Sequence, residues 1–125
     1  NQVEIEEYTF NNTDKNPKKL VFKPTPIILA EGLFVFSDQD LVDLFDLKIF
    51  IEADEPTKLT RRILRDKNER GYDIDDVLYR YSKHVYPNYL LHVKPLQFKT
   101  DMIIPNNDSF ERALEVLISH LKTKI

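Results

Sequence analysis

The chain has 125 residues, of which 42% are hydrophobic and 31% charged, with a net charge of −3 and a pI of about 5.6. These values are typical of one soluble globular domain and give no electrostatic reason to expect a nucleic-acid partner. The absence of cysteine excludes a disulfide framework and a thiolate metal site, and the two glycines, Gly32 and Gly71, are too few for a glycine-rich phosphate-binding loop.

The N-terminal segment predicts a β-hairpin. Apolar and polar residues alternate over 3–8, which is typical of an edge strand. Turn-forming residues dominate 11–17, and an apolar stretch returns at 20–22. We therefore expect a two-stranded flap over residues 1–24.

An apolar run that ends in an acid follows the flap. Pro24 and Pro26 bracket its entry, and its composition predicts a core strand over 27–31 that is buried on both faces. A carboxylate at the end of a buried strand is costly unless it meets a cation or a donor. Glu31 is therefore either an Mg²⁺-linked acid at the sheet's carboxyl edge, or a strand-end acid that bonds to backbone or pairs with a lysine.

The middle of the chain predicts a helix, a strand and a second helix. Apolar residues at helical spacing over 38–45 indicate a short helix capped by its first residue or the serine before it. Residues 47–52 form the second predicted core strand. The acids and proline of 54–56 mark a strong helix start. That helix is expected to run to about Asp66, before the polar segment 67–71 breaks it.

The C-terminal half predicts two more helices around a third core strand. The acids of 73–76 open the first of them, which Pro87 kinks or ends, with a short continuation toward His92. Residues 102–104 form the strand. A capping-box pattern, with Asp108 as the cap and an acid three residues later, then opens an amphipathic final helix that runs to about residue 121.

This order predicts an α/β fold: a parallel sheet flanked by helices on both faces, with the hairpin at its N-terminal end. We expect one domain over 1–125, with a helical region over 54–92. No apolar stretch approaches the ~18 residues that span a bilayer, and no signal peptide opens the chain. We therefore expect a cytoplasmic protein with no membrane partner.

Arginines are concentrated on the helix expected after the second core strand. Arg61 and Arg65 share a face, Arg62 lies within reach of Asp66 at i+4, and Arg70 follows in the predicted loop. Arginine is suited to a bidentate grip on phosphate oxygens. The alternative is a solvated helix face whose charges are balanced by the acids at 66 and 69.

Two aromatic residues flank the hairpin turn. Tyr8 and Phe10 precede a polar loop, where aromatic rings can stack on a base. Ordinary cross-strand packing is the alternative.

Several short motifs, taken in order, resemble one known family. They closely resemble the C-terminal part of uridine kinases, in the uridine kinase and phosphoribulokinase branch of the P-loop kinases. The motifs are Glu31-Gly32-Leu33, the run 43–50 (DLFDLKIF), the run 61–66 (RRILRD), Glu69-Arg70-Gly71 and the run 101–105 (DMIIP). The resemblance implies a P-loop-kinase-like sheet and transfer of the γ-phosphate of ATP, with Mg²⁺, to the 5′-hydroxyl of uridine or cytidine. It also implies a homo-oligomer, either a dimer or a tetramer.

The resemblance also implies roles at the phosphate side of the site. Glu31 matches the acid that supports Mg²⁺, and Arg62 matches an arginine of the nucleoside and phosphate site. Arg65 and Arg70 match lid arginines that close over the phosphates of ATP. Asp108 lies in a segment that matches the loop on the adenine side of ATP.

On the acceptor side, the resemblance implies that aromatic residues contact the nucleoside, with further contacts from the helix after the lid. Three positions depart from the family pattern: a threonine replaces the base-reading histidine, a tyrosine replaces an arginine, and an arginine replaces a glutamine. The substrate-binding candidates are Tyr8, Phe10, Thr13, Arg62, Tyr72, Arg80 and Tyr81, of which Thr13, Tyr72 and Arg80 are the departures.

The family's P-loop and catalytic aspartate are expected upstream of Asn1, so this chain alone is expected to be inactive. Two other functions stay open. One is a sister kinase that acts on another small alcohol, which the departures favour. The other is a non-catalytic dimerisation or interaction module that has kept the fold.

Overall fold

The computed structural model describes residues 2–8 and 16–125. The strands are β1 (Val3–Glu6), β2 (Lys19–Phe22), β3 (Ile49–Glu52) and β4 (Met102–Pro105). The α-helices are α1 (Gln39–Val42), α2 (Glu55–Arg70), α3 (Ile74–Arg80), α4 (Tyr86–Asn88) and α5 (Glu111–Leu121). Two π-helical turns cover Tyr81–Val85 and Tyr89–Val93, and two 3₁₀ turns cover Lys94–Lys99 and Lys122–Lys124.

A parallel pair of strands, β3 and β4, organises the helical half of the molecule. Glu52 at the end of β3 lies opposite Pro105 at the end of β4. Phe50 of β3 and Ile104 of β4 are both buried. A parallel pair needs a long crossover, which α2 and the helices after it provide. The second and third predicted core strands are confirmed, and their carboxyl ends lie side by side at one edge.

The prediction of a buried strand over 27–31 is wrong. This segment has no regular secondary structure, and Ile28 and Leu29 are 79% and 86% exposed. A central strand needs hydrogen-bonded neighbours, but in the part of the chain that the structure covers β3 and β4 pair with each other alone.

The N-terminal strands β1 and β2 pair antiparallel, with Val3 opposite Phe22 and Glu6 opposite Lys19. All eight of their residues are exposed. Their connecting turn, with Phe10 and Thr13, lies outside the described residues.

Helix α2 begins as predicted but ends later. The Asp54 side chain accepts a hydrogen bond from Thr57 N at 2.8 Å, and Pro56 occupies the first turn. The predicted end near Asp66 is wrong, because the helix continues to Arg70. The residues of this last turn are mostly good helix formers that stay in solvent. The helix stops at Gly71, which adopts the left-handed conformation at φ 66°.

The helical run after Gly71 is longer than predicted. The predicted helix start at 73–76 is confirmed, and Asp73 caps α3, its side chain accepting from the N–H of Asp75. A short continuation toward His92 was expected after Pro87, and helical turns extend further, to Lys99. A proline clashes with the carbonyl four residues earlier. The π-helical turn before Pro87 is wider than an α-helical turn, because Tyr86 N–H donates to the carbonyl of Tyr81, five residues earlier. This wider turn accommodates the proline ring.

Of the capping residues predicted for α1 and α5, the first is present and the second is not. Asp38 caps α1, accepting from the N–H groups of Asp40 and Leu41. The Asp108 cap is wrong, because α5 starts at Glu111 and Ser109 Oγ accepts from its N–H at 3.2 Å instead. Across residues 2–8 and 16–125, no helix has both the length and the apolar character to cross a membrane.

Candidate functional site

Three arginines surround one buried carboxylate on α2. Asp66 is 1% exposed. Its Oδ1 accepts from Arg65 Nε at 3.2 Å and from Arg70 Nη1 at 3.1 Å, and its Oδ2 lies 3.4 Å from Arg62 Nε. The predicted pairing of Arg62 with Asp66 is confirmed. The extra turn of α2 is what brings Arg70 into the group, because it places Arg70 four residues after Asp66.

This group, which we call the arginine cluster (Arg62, Arg65, Asp66 and Arg70), carries three positive charges against one negative charge. The side chains of Arg65 and Arg70 are 47% and 52% exposed, so much of each guanidinium faces solvent. Each guanidinium has five N–H donors. The cluster therefore keeps donors and net positive charge that an anion rich in oxygen, such as a phosphate, would satisfy.

A second polar group, at the carboxyl end of β3, was not predicted. Glu52 accepts from Lys58 Nζ at 3.0 Å, Tyr89 Oη at 3.0 Å and Lys94 Nζ at 2.9 Å. Burial by itself would raise the pKa of Glu52, but these hydrogen bonds outweigh it and hold the pKa below its ordinary value. We call this set (Glu52, Lys58, Tyr89 and Lys94) the Glu52 network.

The Glu52 network extends to Glu55 and Tyr81. Lys58 pairs with Glu55 and lies 4.0 Å from the centroid of the Tyr89 ring. Tyr81 Oη donates to Glu55 Oε2 at 2.7 Å. Burial and this hydrogen bond raise the pKa of Tyr81 to about 12. Tyr81, a substrate-binding candidate, therefore joins the helical run to the first turn of α2.

A cleft of about 320 Å³ opens beside this network, between the ends of β3 and β4. Its lining residues are Glu52, Ala53, Asp54, Glu55, Lys94, Pro105 and Asn107. Ligands of parallel α/β sheets bind beyond the carboxyl ends of the strands, which is where this cleft lies.

The loop after β4 is fastened to α2 at the edge of the cleft. Arg61 Nη1 donates to the Asn106 carbonyl and Nη2 to the Asn107 carbonyl, both at 2.7 Å. Asn107 Oδ1 accepts from Asp54 N at 2.8 Å. Arg61 therefore has different partners from the arginine cluster. The exposed Asp108 follows directly on this hydrogen-bonded loop.

Two acceptor-side candidates, Tyr72 and Arg80, lie together at α3. Arg80 Nε is 2.9 Å from Asp76 Oδ2, and its guanidinium carbon is 5.4 Å from the centroid of the Tyr72 ring. Tyr8 is 69% exposed.

Glu31 lies in the exposed segment before α1 rather than at a strand end. The ion pairs of Arg62, Arg65 and Arg70 go to Asp66, and the convergence of Glu31 with these arginines stays a prediction. Within residues 2–8 and 16–125, no three metal-binding side chains are grouped.

The Glu52 network had a partial signal in the sequence. Glu52 is an acid at the end of a predicted core strand, which is the pattern that singled out Glu31. Its partners Tyr89 and Lys94 are 37 and 42 residues away, so no local pattern could identify them.

The titration of Glu52 predicts how stability depends on pH. Since its folded pKa lies below the ordinary value of 4.5, ionised Glu52 adds stability above pH 4.5, and this is lost as pH falls through the folded pKa. Glu52→Gln should therefore lower the urea midpoint at pH 7, and the deficit should shrink as pH falls below 4.5. Glu115→Gln, which alters an exposed ion pair on α5, serves as the control. A deficit that does not change with pH would contradict this role.

Sequence comparisons place these features among known proteins. Residues 1–111 match the profile of the Phosphoribulokinase / Uridine kinase family. The chain is 37% identical to uridine kinase-like protein 3 of Arabidopsis thaliana over 125 residues, covering 98% of this chain and 27% of that protein. It is 31% identical to the uridine kinase of Macrococcus caseolyticus over 123 residues, covering 98% of this chain and 60% of that protein. It is 34% identical to the uridine kinase of Saccharomyces cerevisiae over 125 residues, covering 99% of this chain and 25% of that protein. The chain thus spans from a quarter to three fifths of these relatives.

Proposed function

Because this chain belongs to the phosphoribulokinase and uridine kinase family, we propose that it is part of an ATP-dependent kinase that phosphorylates the 5′-hydroxyl of uridine or cytidine. The observation that carries the proposal is the arginine cluster, in which Arg62, Arg65 and Arg70 gather around Asp66 and the side chains of Arg65 and Arg70 are about half exposed. Relatives named uridine kinase match nearly the whole chain.

The proposed mechanism is positioning combined with electrostatic stabilisation. Charge spreads over the oxygens of the transferring phosphoryl group, and there is little covalent chemistry for the protein to perform. Arg65 and Arg70 close over the phosphates and neutralise that charge, while Arg62 contacts the phosphate and the nucleoside. Closure also excludes water from the reacting group. Asp108 and the fastened loop after β4 face the adenine side of ATP.

Glu31 is proposed to hold Mg²⁺ in this enzyme. Kinases bind Mg²⁺ through one or two carboxylates together with phosphates and water, so an exposed carboxylate such as Glu31 fits the donor chemistry. When bound, the ion neutralises phosphate charge.

The nucleoside is proposed to lie against the flap and the start of the helical run. Tyr8 and Phe10 stack on the base, and Thr13 takes the position of a base reader. Tyr72, Arg80 and Tyr81 contact the acceptor from the other side. The full-length protein is proposed to be a cytoplasmic homo-oligomer.

A second candidate is a sister kinase whose acceptor is another small alcohol. Its support is that Tyr72 and Arg80, two of the three departures from the family pattern, lie together at α3, where the Arg80 guanidinium carbon is 5.4 Å from the centroid of the Tyr72 ring. Altered side chains at these positions would change which acceptor is bound.

A panel of acceptors separates the two candidates. The full-length protein is incubated with ATP, Mg²⁺ and either a pyrimidine nucleoside, a sugar phosphate or pantothenate, and the phosphorylated product is measured. Turnover with uridine or cytidine is the expected result. Turnover with another alcohol alone would favour the sister kinase, and no turnover with any acceptor would favour a non-catalytic module.

A further inference from the structure

Asp66 is the one member of the arginine cluster that phosphate cannot contact favourably, and it is the most deeply buried. Its side chain is 2% exposed, whereas those of Arg65 and Arg70 are about half exposed. A buried carboxylate is costly unless it is paired and hydrogen-bonded. Here the charges that stabilise it belong to the arginines that the proposed function assigns to phosphate.

The arginines differ in the nitrogen atom through which they contact Asp66. Arg65 uses its Nε toward Asp66, and Nε is also the nitrogen of Arg62 nearest to this carboxylate. In Arg62 and Arg65, the Nε contact leaves the two terminal nitrogens, which form a fork that can grip phosphate oxygens, without a hydrogen bond to Asp66. Arg70 differs, because its terminal Nη1 donates to Asp66 Oδ1 at 3.1 Å. At Arg62 and Arg65, a carboxylate that competed with phosphate would be expected to bond to the terminal nitrogens instead.

The contact between Arg62 and Asp66 is an ion pair without a hydrogen bond. Arg62 Nε is buried and makes no hydrogen bond to any described residue, although it lies 3.4 Å from Asp66 Oδ2. Leaving a buried donor unbonded costs free energy, and the charge of the Asp66 carboxylate offsets part of this cost. Asp66 therefore holds Arg62 by charge, and holds Arg65 and Arg70 by hydrogen bonds as well.

We propose that Asp66 is a positioning residue that holds Arg62 and Arg65 on their Nε side, which leaves the terminal nitrogens of these two arginines to receive a chain of phosphates, and that it holds Arg70 through Nη1. This inference rests on the proposed function. It deepens that function by assigning the pre-organisation of the arginine cluster to one buried acid. Pre-organisation raises affinity and rate because side chains that are already ordered lose less freedom on binding.

The test compares Asp66→Asn with wild type in the full-length protein. Two quantities are measured: kcat with ATP and uridine, and the dissociation constant of inorganic tripolyphosphate by calorimetry at fixed ionic strength. Asp66→Asn makes the cluster more positive, so simple electrostatics predicts tighter binding of tripolyphosphate. Positioning predicts the opposite: binding weaker by about threefold and kcat lower by about tenfold.

Two further variants control the comparison. Glu115→Gln removes a carboxylate from an exposed Arg112 pair on α5 and should change neither quantity. Asp66→Glu keeps the charge and should recover part of the lost kcat. Tighter tripolyphosphate binding by Asp66→Asn would overturn the proposal, and so would a lower melting temperature with unchanged kcat and affinity.

A measurement on wild type covers the case in which the Asp66 variants do not fold. Arginine side-chain N–H signals are recorded by ¹⁵N NMR while tripolyphosphate is added. The terminal Nη–H signals of Arg62 and Arg65 should shift, while their Nε–H signals stay nearly unchanged. Movement of the Nε–H signals, meaning release from Asp66, would overturn the proposal.

The outcomes separate this inference from the proposed function. Wild type that binds tripolyphosphate through the cluster but phosphorylates no nucleoside contradicts the proposed function and leaves the positioning role supported by the binding data. Active wild type whose Asp66→Asn variant is equally active contradicts the positioning role alone.

Discussion

Replacing Arg65 with alanine in the full-length protein should lower kcat with ATP and uridine by roughly 10³, the lower end of the range for an arginine that stabilises phosphoryl transfer. The physical reason is the loss of a positive charge placed where the transferring group develops negative charge. Stability should change little, by about 1 kcal/mol or less, because the Arg65 side chain is 47% exposed and its pairing with Asp66 is shared with two other arginines. Steady-state kinetics and thermal melting measure the two effects.

Arg112→Ala is the matched control for this change. Arg112 is a helical arginine on α5 whose side chain is 95% exposed and pairs with Glu115. Its removal should leave kcat unchanged. If Arg65→Ala retained full activity, the arginine cluster would be only a solvated helix face.

Replacing Arg61 with alanine should raise the KM for ATP by about tenfold, with a smaller effect on kcat. Arg61 fastens the loop after β4 through hydrogen bonds to the carbonyls of Asn106 and Asn107. That loop is proposed to contact the adenine side of ATP, which is remote from the reacting phosphate. Its release should therefore weaken binding of ATP more than it slows the chemical step. Initial rates over a range of ATP concentrations give both constants.

Arg61→Lys sharpens this prediction. A lysine keeps the charge, but a single ammonium cannot reproduce the planar fork that reaches both carbonyls. The lysine variant should therefore resemble alanine in its KM for ATP. If Arg61→Lys had the wild-type KM for ATP, the charge of Arg61, and not its planar guanidinium, would be what supports ATP binding.

The two predictions separate arginines that look equivalent in the sequence. Arg61 and Arg65 are four residues apart on α2 and were expected to share a face. In the structure Arg61 binds backbone carbonyls of the loop after β4, while Arg65 contacts the buried Asp66. Local spacing predicted the helix face but not the partner, because the partner of Arg61 is 45 residues away.

Secondary structure was predicted best where the signal lies within a few residues. The starts of α1, α2 and α3 were placed correctly because the side chains of Asp38, Asp54 and Asp73 bond to an N–H two or three residues on, which is a local signal. For α1 the sequence left Ser37 and Asp38 open as the cap, and the structure has Asp38. The end of α2 was placed too early because the whole polar segment 67–71, which ends in Gly71, was interpreted as a break. The actual stop is the left-handed glycine at 71.

The amino-acid sequence by itself determined the family, the parallel pair β3 and β4, and the pairing of Arg62 with Asp66. Each of these depends on short motifs, apolar runs or i,i+4 spacing, which are properties of neighbouring residues. Tertiary structure alone decided that the apolar run 27–31 pairs with no described strand, and that Glu52 binds Tyr89 and Lys94. Such long-range partners depend on how the chain closes its loops in space, and no local pattern encodes that geometry.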